Sequence, residues 1–68
     1  MDYRIRFKNL RIDNDLTQVD VAKLCSVTDK TVSHWETLRY DMPIDCIRNL
    51  CIYYKISSDY ILNIPKFN

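Results

Sequence analysis

Four polar residues stand at a spacing that could do chemistry. Lys30, Ser33, His34 and Thr37 fall at i, i+3, i+4 and i+7, which on a helix makes one continuous polar face. Such a face offers an ammonium, an imidazole and two hydroxyls to a hydrogen-bonding partner, although a polar face usually just meets solvent. Nucleophilic catalysis is not among its options. Ser33 and His34 are adjacent, and neighbouring side chains on a helix do not face each other as a nucleophile and its base must. The chain has no glycine, so it cannot form a glycine-rich phosphate loop, and the expectation is a protein that is not an enzyme and needs no cofactor.

The three cysteines, Cys25, Cys46 and Cys51, contain no CxxC pair and no zinc-ligand spacing with the single histidine, His34. Cys46 and Cys51 are five apart and diverge on a helix. An odd set of this kind fits a reducing compartment better than a disulfide framework, so the three are read as buried structural thiols and no metal site is expected.

Composition frames what the face can be used for. With 68 residues, 47% hydrophobic and 28% charged, the chain is too apolar for a disordered tail and long enough for one small core. A chain this short buries only about 60% of the surface its unfolded form exposes, so modest stability is expected. Net charge is +1, and residues 1–40 carry seven Lys or Arg against six Asp or Glu, so there is no basic half. Phosphate neutralisation supplies most sequence-independent affinity for DNA, which makes this balance that of a weak monomeric binder. No stretch approaches the roughly 20 apolar residues of a membrane span, and Met1-Asp2-Tyr3-Arg4 lacks the apolar segment of a secretion signal. A cytoplasmic location away from membranes is the expectation.

Hydrophobic periodicity predicts five helices. Tyr3, Phe7 and Leu10 make one stripe on a first helix over Tyr3 to Asp13, ended by Asn14-Asp15. Thr17 caps a second, Gln18 to Cys25, with Val21, Ala22 and Cys25 inward. After a Ser26-Val27 turn, Thr28 caps a third helix to about Thr37, with Val32 and Trp35 inward and the polar face outward. Pro43 suits the first turn of a fourth, to about Tyr54, with Ile44, Ile47, Cys51 and Tyr54 as its stripe. Ser57 caps a short fifth containing Ile61 and Leu62, and the end of the chain from Pro65 is expected to fray.

Two short helices joined by a tight turn need a small residue where they cross, and Ala22 occupies that place. The stretch Leu16-Thr17-Gln18-Val19-Asp20-Val21-Ala22, followed by Val27 through Glu36, resembles the helix-turn-helix of the lambda-repressor-like, Cro-type DNA-binding family. Arg6 through Arg11 is similar to that family's first helix, and Leu50 to Leu62 to its last two, so the resemblance covers roughly residues 3–62. It implies an all-α, five-helix domain over residues 1–64 with a short tail, 65–68, acting as a small transcription regulator of the repressor kind on double-stranded DNA.

The resemblance further implies that the helix from Thr28 to Thr37 enters the major groove. Lys30 and His34 then become the principal base readers: lysine donates to guanine O6 and N7, and an imidazole donates to guanine N7 or to phosphate. Ser33 and Thr37 support them. Asp29 either accepts from cytosine N4 or serves the helix dipole. Gln18, Thr28 and Arg39 match positions where the family contacts phosphate, with ordinary solvated surface as the competing reading for Gln18 and Arg39. Arg11 and Glu36 fall where the family often has a buried ion pair, and with Ala22 and Trp35 they are assigned to architecture.

Ser26 stands at the turn position where the family favours glycine, at about 1 kcal/mol of strain, and Lys55 where glycine or asparagine would more easily close the fourth helix. Asp20 and Asp29 dilute the positive field. Both point to a homodimer reading half-sites one helical turn apart, about 34 Å, on an inverted repeat. Ile52, Tyr53, Tyr60, Ile61, Leu62 and Ile64 are either its interface or the closure of a small core. The competing function is a protein-interaction module on the same fold, an antitoxin or antirepressor bound to a small protein partner.

Overall fold

The structure, a computed structural model, describes residues 1–62. It is all-α, with five helices and no strand among the described residues: α1 Tyr3–Asp13, α2 Gln18–Cys25, α3 Asp29–Glu36, α4 Ile44–Tyr54 and α5 Ser58–Leu62. Ile64 and the tail 65–68, assigned above to the apolar patch and to a frayed end, lie outside the described residues. No helix is long and apolar enough to cross a membrane.

Local chemistry explains where the helices begin. Asp2 accepts the Arg4 backbone N–H at 2.8 Å and starts α1. A reciprocal capping box opens α2, in which the Thr17 hydroxyl accepts from Asp20 N at 3.1 Å and the Asp20 carboxylate accepts from Thr17 N at 2.8 Å. Thr28 does the same for α3 from one side only, accepting from Thr31 N at 3.2 Å. Pro43 sits one place earlier than its reading above, at the N-cap, where it has no side chain to offer a backbone donor.

The helices end in one repeated way. Asp15, Ser26, Leu38 and Lys55 all have φ between 56° and 63°, and the N–H that follows each bonds back to the fifth residue before it. Leu16 N donates to Arg11 O, Val27 N to Ala22 O, Arg39 N to His34 O and Ile56 N to Cys51 O. This is the Schellman closure, made four times in a chain without glycine. Ser26 and Lys55 are visible in the sequence as misplaced non-glycines; Asp15 and Leu38 are not.

The core joins all five helices. Val32, Leu50 and Ile61 are fully buried, and Phe7, Val21, Trp35 and Met42 pack around them. Cys25, Cys46 and Cys51 are free and buried. Burial pushes the Cys25 thiol up to about 12, with Cys46 beside it adding to the effect, and burial also raises Cys51. Ala22, 4% exposed, lets α2 and α3 pack closely. The stripe read for α4 needs correcting at one end, since Ile44 is 70% exposed while Cys46 and Leu50 are buried. The cause is angular, since Cys46, Ile47, Leu50 and Cys51 define the buried face and, at about 100° per residue, Ile44 falls roughly 90° to its side.

Candidate nucleic-acid interface

The α2–α3 pair presents the outer face of α3 to solvent. Val32 and Trp35 anchor the opposite face, 1% and 4% exposed, so rotation of α3 about its axis would expose core. Along the outer side Asp29, Lys30 and Thr37 are exposed, and Ser33 and His34 are half-buried. The structure thus brings Lys30, Ser33, His34 and Thr37 onto one face.

Their donors are not equally free. The Thr37 hydroxyl donates to Ser33 O at 2.9 Å, and its oxygen remains as an acceptor. Thr28 spends its oxygen on the cap and shares a 3.0 Å hydroxyl contact with Thr31. Among the described residues, the side chains of Lys30, Ser33 and His34 have no hydrogen-bond partner, and neither does that of Arg39, which is exposed just past the helix. Asp29 lies in the first turn, where its charge faces the positive end of the α3 dipole.

Beneath this face lies a buried ionic brace. Arg11 Nε donates to Glu36 Oε2 at 2.7 Å and Nη2 to Oε1 at 3.0 Å, a bidentate pair tying α1 to α3. Arg11 Nη1 also donates to Leu16 O at 2.9 Å. The hydrogen-bonded Glu36 carboxylate raises the pKa of Arg11 further against the opposing effect of burial. Gln18 joins them, its Nε2 donating to Glu36 Oε1 at 3.0 Å. This hydrogen bond turns one N–H of the Gln18 amide towards the brace. A carboxylate whose side chain is only 8% exposed needs more donors than one arginine supplies, and the Gln18 amide is the nearest. Its backbone N–H, at the first position of α2, is what Gln18 leaves pointing outward.

Two residues of the face have no periodic signal in the sequence. Tyr40, in the loop after α3, sets its ring against the His34 imidazole, centroids 5.3 Å apart and planes at 69°. Arg4, in α1, holds that loop by donating to Tyr40 O at 2.9 Å. Sequence reasoning passes over both, because Tyr40 lies in a loop and the partner of Arg4 lies 36 residues away.

On the α4–α5 side an apolar groove of about 520 Å³ is lined by Ile44, Ile47, Ile52, Ile56 and Leu62, with Arg48 and Lys55 at its edge. Of the patch read from the sequence, Ile52, Tyr53 and Tyr60 are exposed and Leu62 is half-buried. Ile61 takes the second of its two readings: it is 0% exposed and closes the core between α1 and α4.

Compared with models of known families, with curated proteins and with solved structures, the chain matches none. The donors and their setting carry the chemistry. An ammonium, an imidazole and a hydroxyl stand without hydrogen-bond partners among the described residues on the outer face of α3, with a guanidinium just past its C-terminal end. That set suits a surface rich in acceptors and negative charge.

Proposed function

We propose that this protein is a sequence-specific double-stranded DNA-binding protein, a lambda-repressor-like helix-turn-helix regulator of the repressor kind. It places α3 in the major groove and reads an inverted repeat as a cytoplasmic homodimer. The observation that carries the reading is the state of Lys30 and His34, one turn apart and without hydrogen-bond partners among the described residues, on a helix whose other face is locked into the core. Lys30 and His34 read base edges with help from Ser33, and a well-placed contact of this type is worth about 1–3 kcal/mol of discrimination. Thr37 contributes an acceptor, Asp29 serves the dipole, and Arg39 contacts phosphate together with the α2 N-terminus at Gln18 and the α3 N-terminus at Thr28. The near-neutral charge makes a single copy a weak binder, and doubling the contacts through the α4–α5 apolar surface offsets this.

Selection from a random duplex pool at low salt tests it. The reading expects enrichment of an inverted repeat with half-site centres about one helical turn apart. If no sequence is enriched, it is wrong. A second reading then gains weight from the same +1 charge and from the apolar groove: a protein-interaction module of the antitoxin or antirepressor type. Stoichiometric co-purification of one small partner protein, with no enriched DNA, would support that reading.

A further inference from the structure

Tyr40 is 61% exposed, so its ring is not there to fill the core. It lies in the connection between α3 and α4, where a chain without regular hydrogen bonding would ordinarily leave an aromatic free to swing. Here the backbone on both sides is fixed. Leu38 N donates to Trp35 O at 3.0 Å and Arg39 N to His34 O at 2.8 Å, which closes α3 tightly. On the far side Met42 N donates to the Tyr3 hydroxyl at 2.9 Å. Between them Arg4 Nη1 donates to Tyr40 O at 2.9 Å.

Arg4 is itself held. Its Nε and Nη2 grip the two Asp2 oxygens at 2.9 and 2.8 Å, and the side chain is 14% exposed. The first turn of α1 therefore pins a loop 36 residues away in sequence, at the one residue whose ring meets His34 edge to face. The Tyr40 hydroxyl has no hydrogen-bond partner among the described residues, so the loop is fixed through its backbone and the ring acts by packing.

We propose that Tyr40 is a positioning and specificity-determining residue of the α3 face, its ring fixing the orientation of the His34 imidazole while Arg4 and Tyr3 hold Tyr40 in place from α1. This rests on the DNA-binding reading. A half-buried imidazole without a hydrogen-bond partner turns about its side-chain bonds, and each orientation offers a different nitrogen to an acceptor. The Tyr40 ring removes part of that freedom before any base is met, so less ordering is left for the moment of binding. The specificity of His34 thus depends on a clamp in α1 that touches no base.

The experiment compares the unaltered chain with Tyr40→Ala, Tyr40→Phe and His34→Ala, using duplex selection together with the His34 ring proton resonances of the free protein. Tyr40→Ala is expected to lose about two- to tenfold discrimination, the worth of ordering one side chain. The loss falls at the base pair that His34→Ala relaxes, and preference elsewhere is kept. Its His34 ring resonances move as the ring current is lost. Tyr40→Phe keeps the ring and behaves as the unaltered chain in both readouts, and Arg4→Gln reproduces part of the Tyr40→Ala effect while remaining helical. An unchanged preference in Tyr40→Ala, on a site that the unaltered chain selects, overturns the proposal alone, as do unchanged His34 resonances. Failure of the unaltered chain to select any sequence removes the DNA reading and this specificity role with it.

Discussion

The ionic brace beneath the outer face of α3 is open to a double-variant test. Glu36 accepts three hydrogen bonds, at 2.7, 3.0 and 3.0 Å, and two of them come from Arg11. Replacing Arg11 by Met leaves a carboxylate that is 8% exposed with Gln18 as its only partner. Breaking a buried pair in this way costs about 3–5 kcal/mol. A 68-residue domain has roughly 3–10 kcal/mol of total stability at typical per-residue values, so the single variant should be partly unfolded at room temperature. Replacing Glu36 by Leu as well removes the stranded charge. Leu16 O and the Gln18 amide lose partners too, but both residues are half-buried and water reaches them. The double variant should therefore recover to within about 1–2 kcal/mol of the parent, about 2–3 kcal/mol more stable than Arg11→Met alone. Urea unfolding followed by the fluorescence of Trp35, the sole tryptophan and 4% exposed, reads this directly, with a stabilising osmolyte where a single variant needs it. Costs that simply add in the double variant would refute the reasoning.

Three further outcomes follow from other parts of the structure. Ser26→Gly should stabilise the chain by about 1 kcal/mol, because Ser26 holds φ 56°, and the gain should appear as a rise of about 4–8 °C in Tm; a fall would place the strain elsewhere. The thiols of Cys25, Cys46 and Cys51 should resist alkylation at pH 8 until the chain opens, since all three are buried, so labelling rates should follow global unfolding as urea is added, and fast labelling without urea would contradict this. The Asp2 carboxyl is lowered to about 2, chiefly by its hydrogen bonds from the Arg4 side chain. A depressed carboxyl stabilises fully above its unfolded pKa near 4 and loses that contribution as pH falls towards 2. The stability difference between the parent and Asp2→Asn, measured by urea unfolding at a series of pH values, should therefore shrink from pH 5 to pH 2.

Much of this architecture could be read from residue types because it is local. Thr17, Thr28 and Ser57 announce their helices as caps, and Ser57 Oγ indeed accepts from Tyr60 N at 3.1 Å. The inward faces of α1 to α3 follow from period alone. What escaped the sequence depends on tertiary context. Ile44 lies on the apolar period of α4 yet is exposed, because packing buries the face of Cys46, Ile47, Leu50 and Cys51 and Ile44 stands to one side of it. Met42, in a loop with no period, is core at 7% exposure. Leu38 shows no sign of its positive φ, since the closure of α3 is imposed by the bond from Arg39 N to His34 O.

The polar face divides in the same way. Lys30, Ser33, His34 and Thr37 share one side of α3, as their spacing dictates. Gln18 turned inward because the demand of the Glu36 carboxylate for donors is invisible until α1, α2 and α3 are packed together. Tyr40 and Arg4 were missed because their partnership spans 36 residues and no sequence period connects them.

The most direct test of the central claim needs no knowledge of the preferred site. Isotopically labelled protein would be titrated at low salt with a mixed-sequence duplex of about 20 base pairs, two turns of B-DNA, and the shifts of backbone and side-chain resonances followed. The largest changes are expected from Thr28 to Thr37, at Arg39 and at the N–H of Gln18, with a steep loss of binding as salt rises. Changes confined to α4 and α5, or none at low salt, would contradict it.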